Sequence, residues 1–150
     1  MKSQAERRIE SEIKDLKENP PQEFSLEPEK NNIFVWNAII QGPKGTPYEG
    51  GKIKVKIYLP ENYPLKPPIV IFTPSIFHLS VEQSSGQPSL KELSDWHIVT
   101  KLKKIITKLI DLLKYPSDAN TVEEEFSYIF RENRDEYDRL AREWTIHHAV

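Results

Sequence analysis

The chain has 150 residues, a formal net charge of −2 and no cysteine, and 37% of its residues are apolar. This length and composition predict one globular domain spanning residues 1–150, and the lack of cysteine excludes a disulfide framework and thiol chemistry. The sequence also has no strong basic charge, no apolar run of ~18 residues and no apolar N-terminal segment, so we expect no nucleic-acid or membrane partner and a place in the cytoplasm, the nucleus or both.

The first predicted element is a helix over residues 3–18. Ser3 and Glu6 have the spacing of a capping box. Apolar residues recur at the spacing of one helix face, at Ala5, Ile9, Ile13 and Leu16. The run Asn19-Pro20-Pro21 predicts the end of this helix, because proline lacks an N–H donor and disfavours the helical conformation in the residue before it.

Four strands are predicted next, at residues 24–27, 33–40, 52–59 and 69–72. In the third strand, apolar residues such as Ile53 and Val55 alternate with Lys52, Lys54 and Lys56. This period of two is typical of a strand with one buried face and one solvated face. The short connections between the strands, without intervening helices, predict an antiparallel meander.

Residues 73–97 show no periodicity, and a run of this length without secondary structure is usually functional. A helix is predicted after it, because an apolar stripe extends from Leu102 to Leu113. Thr100 is predicted to cap the N-terminus of that helix.

Two more helices are predicted to close the chain. The first starts near Thr121 and Glu124 and is expected to bury Val122, Phe126, Ile129 and Phe130. The second starts at Asn133 with Glu136 and is expected to bury Tyr137, Leu140, Ala141 and Trp144. The order of helix, sheet, long loop and three helices predicts an α+β domain with helices packed on one antiparallel sheet.

Three stretches carry a resemblance to a known family. Residues 36–51 read W-N-A-I-I-Q-G-P-K-G-T-P-Y-E-G-G, residues 63–68 read Y-P-L-K-P-P, and residues 134–145 read R-D-E-Y-D-R-L-A-R-E-W-T. In this order and spacing they resemble the ubiquitin-conjugating enzymes, above all the small, single-domain members. The resemblance covers nearly the whole chain. It implies an α+β, UBC-like fold with an N-terminal helix, a four-stranded antiparallel meander, a long active-site-type loop and three C-terminal helices.

The resemblance also shows where the chemistry of the family departs from this sequence. Enzymes of the family carry ubiquitin as a thioester on a cysteine, and an asparagine in a His-Pro-Asn triplet is assigned to stabilising the oxyanion. The triplet aligns with His78-Leu79-Ser80, so His78 matches the histidine and Ser80 takes the place of the asparagine. The cysteine aligns with Ser89. We therefore expect no catalytic residue and no cofactor.

Other positions depart from the family pattern as well. Trp96 is followed by His97-Ile98-Val99, where the family often has Ser-Pro-Ala in a loop that ligases contact. Leu65 stands where many members have phenylalanine. Asn120 aligns with an acidic residue that tunes the incoming lysine, and a neutral amide cannot accept the proton of that lysine.

Alternative interpretations of the site remain open at this point. Ser89 would be a nucleophile if His78 or His97, oriented by Asp95, lay within reach of it, which depends on geometry. In another interpretation, a true conjugating enzyme carries a serine in place of its cysteine in this sequence. The four histidines show no metal-ligand spacing, so we expect no metal site.

These features lead to the hypothesis of a catalytically degenerate member that acts as a binding or regulatory module. Its expected partners are ubiquitin or a ubiquitin-like protein, an active conjugating enzyme, an activating enzyme or a ligase. By the resemblance, the contact residues lie on the N-terminal helix, on the first ligase loop and on the back of the sheet, at Arg7, Arg8, Lys14, Pro64, Leu65 and Ser25. An interaction domain outside this pathway is the remaining alternative.

Overall fold

A computed structural model describes all residues, 1–150. Its elements, in chain order, are α1 (Gln4–Glu18), β1 (Phe24–Glu29), β2 (Asn32–Gln41), β3 (Lys52–Tyr58), β4 (Ile69–Phe72), α2 (Lys91–Ser94), α3 (Leu102–Lys114), a 3₁₀ turn (Asp118–Asn120), α4 (Glu124–Glu132) and α5 (Arg134–His148). The predicted N-terminal helix, four strands and three C-terminal helices are all present, so the α+β prediction is confirmed. None of the helices is long and apolar enough to cross a membrane.

Helix α1 begins with the predicted capping box. Ser3 Oγ accepts a hydrogen bond from the Glu6 N–H, and Glu6 Oε1 accepts one from the Ser3 N–H. Each side chain thus satisfies a backbone donor that the first turn leaves unpaired. The buried face of the helix carries Ala5, Ile9 and, unexpectedly for an acid, Glu12.

The sheet is an antiparallel meander in the order β1-β2-β3-β4. Across its centre Ala38 pairs with Val55, and Val55 pairs with Phe72. All three residues are buried, so the register places one face of every central strand against the helices. The opposite face carries the exposed Lys52 and Lys54.

The core lies between the inner face of the sheet and helices α1, α3 and α5. Trp36 is fully buried at its centre, and its Nε1 donates to the Ile33 carbonyl at 2.8 Å. The apolar stripe of α3 packs on the same cluster, with Leu102, Ile105, Ile106, Leu109, Ile110 and Leu113 buried. These side chains fix α3 and, with it, the residues just before the helix.

Several local predictions were wrong. The run 73–97 contains the short helix α2 and an isolated bridge between Val81 and Pro88. Thr100 does not cap α3: Lys101 is the N-cap residue, and it makes no side-chain cap. Helix α4, by contrast, begins at Glu124, as predicted, and its N-cap residue Glu123 makes no side-chain cap.

Burial in the two last helices is also less complete than predicted. Val122 is 43% exposed because it precedes α4 and lies outside its apolar face. Tyr137 and Ala141 are buried as predicted. The other side chains of the two predicted stripes are half-buried: Phe126, Ile129, Phe130, Leu140 and Trp144.

Candidate functional site

The segment after β4 continues along the edge of the sheet. Gly86 O accepts a hydrogen bond from the Phe72 N–H at 2.8 Å. Gly86 has a φ of +77°, and a Cβ placed on it would lie 2.3 Å from the Phe72 carbonyl oxygen. Only glycine meets both conditions, so this residue allows the chain to turn back toward Ser89.

Ser80 and Ser89, which align with the asparagine and the cysteine of the family, lie next to each other. The Ser89 N–H donates to Ser80 O at 2.7 Å, beside the bridge between Val81 and Pro88. Ser89 is half-buried and lines an open cleft of about 300 Å³. The cleft lies between the start of β4 and α2. Its lining has no ionisable side chain and consists of Pro68, Ile69, Val70, Gln87, Pro88, Ser89, Leu90, Leu93 and Ser94.

His78 is fully buried, and both ring nitrogens are used inside the chain. Its Nδ1 accepts the Ser80 N–H at 3.0 Å, so the ring proton lies on Nε2, which donates to the Leu112 carbonyl at 3.0 Å. Burial lowers the pKa of His78 to about 4. A neutral imidazole held in this way stabilises the turn and has no free lone pair for the Ser89 hydroxyl.

The backbone around His78 is fixed by the C-terminal helices. The hydroxyl oxygen of Tyr137, in α5, accepts a hydrogen bond from the Leu79 N–H at 3.0 Å. Burial raises the pKa of Tyr137 to about 12. The Leu79 carbonyl accepts the N–H groups of Val122 and Glu123, just before α4. The Ser80 hydroxyl is buried and has no hydrogen-bond partner.

The other candidate bases do not line the cleft beside Ser89. His97 and Asp95 approach each other to 3.8 Å, but both side chains are largely exposed. Asn120 is exposed at the end of the 3₁₀ turn. The geometry therefore brings no histidine and no carboxylate to the Ser89 hydroxyl, and the arrangement required of a serine nucleophile is not formed.

The predicted contact residues of the N-terminal helix differ in their surroundings. Arg7 and Lys14 are exposed, and Lys14 approaches Glu18 to 3.9 Å. Arg8 is half-buried, and its guanidinium contacts Glu12 and the backbone of residues 98 and 100.

The predicted contact residues outside the N-terminal helix also differ in how exposed they are. Leu65 is 60% exposed, whereas Pro64 is buried and its carbonyl accepts the Trp96 Nε1–H at 2.7 Å. Ser25 is exposed on the outer face of the sheet, where it pairs with Ile39 of β2. A contact role for these residues remains a prediction.

Glu12 is a structurally central residue that the sequence analysis missed. Its carboxylate is 4% exposed and accepts hydrogen bonds from the Leu102 N–H at 2.7 Å, from Arg8 Nε at 3.1 Å and from the Tyr63 hydroxyl. It thereby caps α3 from another helix, in place of the predicted Thr100. The signal for this was its position on the same helix face as Ile9.

The fold agrees with a comparison against protein families. The family model described as ubiquitin-conjugating enzyme matches residues 8–145, which is most of the chain.

The chain belongs to the ubiquitin-conjugating enzyme family. The match extends from α1 into α5, so this member of the family keeps both C-terminal helices. Family membership supports involvement in ubiquitin conjugation and, in general terms, interaction with ubiquitin-like proteins, activating enzymes or ligases. It leaves open whether this member is active or degenerate.

Proposed function

We propose that this member of the ubiquitin-conjugating enzyme family is a pseudoenzyme: a binding or regulatory module of the conjugation pathway that does not itself transfer the modifier. The observation that supports this most directly is Ser89, which stands at the cysteine position in a cleft without a base. A cysteine is a few per cent thiolate at pH 7 and needs little help, whereas a serine hydroxyl requires an adjacent base to become nucleophilic.

Two further features support the loss of transfer chemistry. The position of the oxyanion-stabilising asparagine is held by Ser80, whose short side chain is buried and does not line the cleft. Loss of one such donor costs roughly 10²–10³ in rate. Asn120, at the position of the acid that tunes the incoming lysine, has no carboxylate to take up a proton.

The binding role is supported by exposed apolar side chains in neighbouring loops. Leu65, Ile98 and Val99 are 60%, 53% and 79% exposed. The hydrogen bond from Trp96 to the Pro64 carbonyl joins the two loops that carry them. A surface of this kind fits a protein partner, for which an activating enzyme or a ligase is the expected class.

A second candidate, a true conjugating enzyme in which a serine replaces the cysteine, is favoured by two observations. Ser89 lies in an open cleft, and the family fold is kept through α5. A thiol placed at position 89 would therefore be accessible.

The Ser89→Cys variant distinguishes the two candidates. It is incubated with activating enzyme, ubiquitin and ATP, and a conjugate that reducing agent removes is quantified on gels. The matched control is Ser94→Cys, which places a thiol in the same cleft at a position that does not align with the family cysteine. We expect both variants to form equally little conjugate.

Efficient charging of Ser89→Cys, followed by discharge to lysine, would favour the enzyme instead. Charging without discharge would implicate the missing oxyanion donor, and the double variant Ser80→Asn/Ser89→Cys tests that step. In parallel, ubiquitin is titrated into ¹⁵N-labelled protein. A pull-down that recovers no ubiquitin, conjugating enzyme, activating enzyme or ligase would place the domain outside this pathway.

A further inference from the structure

Arg7 and Arg8 are neighbours in α1 but have different structural roles. The Arg7 side chain is exposed to solvent. The guanidinium of Arg8 donates from Nη1 to the Ile98 carbonyl, from Nη2 to the Thr100 carbonyl at 2.8 Å, and from Nε to Glu12 at 3.1 Å. It also lies 5.5 Å from the centre of the Tyr63 ring. Arg8 is therefore occupied within the chain.

The segment that Arg8 holds has few other restraints. Residues 97–100 precede α3 and belong to no helix or strand. Within the segment the only backbone hydrogen bond runs from the Thr100 N–H to the His97 carbonyl, at 3.0 Å. Two of its carbonyls thus depend on one side chain, and Ile98 and Val99 project into solvent beside those carbonyls.

We infer that Arg8 is a positioning residue for residues 97–100. Its guanidinium fixes the backbone of this loop and so sets the direction in which Ile98 and Val99 face a partner, while Arg7 is the arginine that is free to contact one. Loop positioning follows from the geometry alone. Only the use of the loop by a partner rests on the proposed function.

A lysine cannot replace Arg8 in this role. The planar fork of a guanidinium presents five N–H donors in fixed directions, which allows Arg8 to reach two carbonyls and a carboxylate at once. An ammonium is a single point charge at the end of a flexible stem. Arg8→Lys therefore keeps the charge of α1 and removes the connection to the loop.

The inference is tested by ¹⁵N relaxation on the intact chain. In the native protein we expect order parameters of about 0.85 at residues 98 and 99, and in Arg8→Lys we expect values below about 0.6, with β3 unchanged in both. Arg8→Met, which keeps a stem over Tyr63 but has no donor, is the second variant and is expected to loosen the loop equally. Arg7→Lys is the control and is expected to change neither region.

Rigid values at residues 98 and 99 in both Arg8 variants would overturn the inference, as would equal loosening in Arg7→Lys. Affinity for the ubiquitin-activating enzyme is the second readout. We expect Arg8→Lys to bind about fivefold more weakly than the native protein, because a freed loop must be ordered on binding. If the native protein fails to bind this enzyme, the proposed function loses that partner, and the relaxation result still decides the role of Arg8.

Discussion

Replacing Glu12 by alanine tests the link between α1 and α3. The substitution leaves the Leu102 N–H, the Tyr63 hydroxyl and Arg8 Nε without their shared acceptor in a buried site. An unsatisfied buried donor costs about 1–3 kcal/mol, and removing one partner of a buried ion pair costs about 3–5 kcal/mol. Since these terms overlap, we expect Glu12→Ala to lower the free energy of unfolding by about 3–5 kcal/mol.

The assay is urea unfolding followed by tryptophan fluorescence, in which the midpoint should fall while the m-value stays constant. Glu10→Ala is the matched control, because Glu10 lies on the same helix in an exposed ion pair with Lys2. Exposed pairs contribute about 0–1 kcal/mol. A loss below about 1 kcal/mol for Glu12→Ala, or equal losses for the two variants, would refute the capping role of Glu12.

Three further predictions concern the segment around the cleft. The pKa of His78 is lowered to about 4 from an ordinary 6.5, so the unfolded chain takes up a proton at this residue at a higher pH than the folded chain. The free energy of unfolding is therefore expected to fall by about 3 kcal/mol as the pH drops from 6.5 to 4. Urea midpoints measured across that range check this expectation, and midpoints that do not change with pH would contradict it. Gly86→Ala is expected to lower the free energy of unfolding by more than about 2 kcal/mol in the same assay, because a Cβ there meets the Phe72 carbonyl oxygen. The control Gly45→Ala has a similar φ but open space around the Cβ, and is expected to cost about 1 kcal/mol. Equal losses for the two variants would contradict the steric explanation. Ser80→Ala removes a buried hydroxyl that has no partner, so we expect unchanged or slightly higher stability, and a loss above about 1 kcal/mol would reveal a hydrogen bond at that oxygen.

The sequence predicts most of the fold because periodicity reports which residues are buried. The alternation from Lys52 onward identifies a half-buried strand, and the stripe from Leu102 to Leu113 identifies the helix that packs on it. Caps formed by distant residues cannot be found in this way. Thr100 is the nearest residue of a suitable type for capping α3. The Leu102 N–H, however, donates to Glu12, which lies 90 positions from Leu102 in the chain.

The candidate site was only partly predictable, for the same reason. The family alignment singles out Ser80 and Ser89, and the hydrogen bond between their backbones brings them together. The state of His78 depends on burial and on two backbone partners, which no local pattern reveals. The division of roles between Arg7 and Arg8 likewise depends on where the loop after Trp96 returns to α1.

The most direct test of the pseudoenzyme account is the intact mass of the native protein and of Ser89→Cys after incubation with activating enzyme, ubiquitin and ATP. The account predicts that both proteins keep their unmodified mass. A stoichiometric ubiquitin adduct at position 89 that passes to free lysine would contradict it and would make this chain a carrier in its own right.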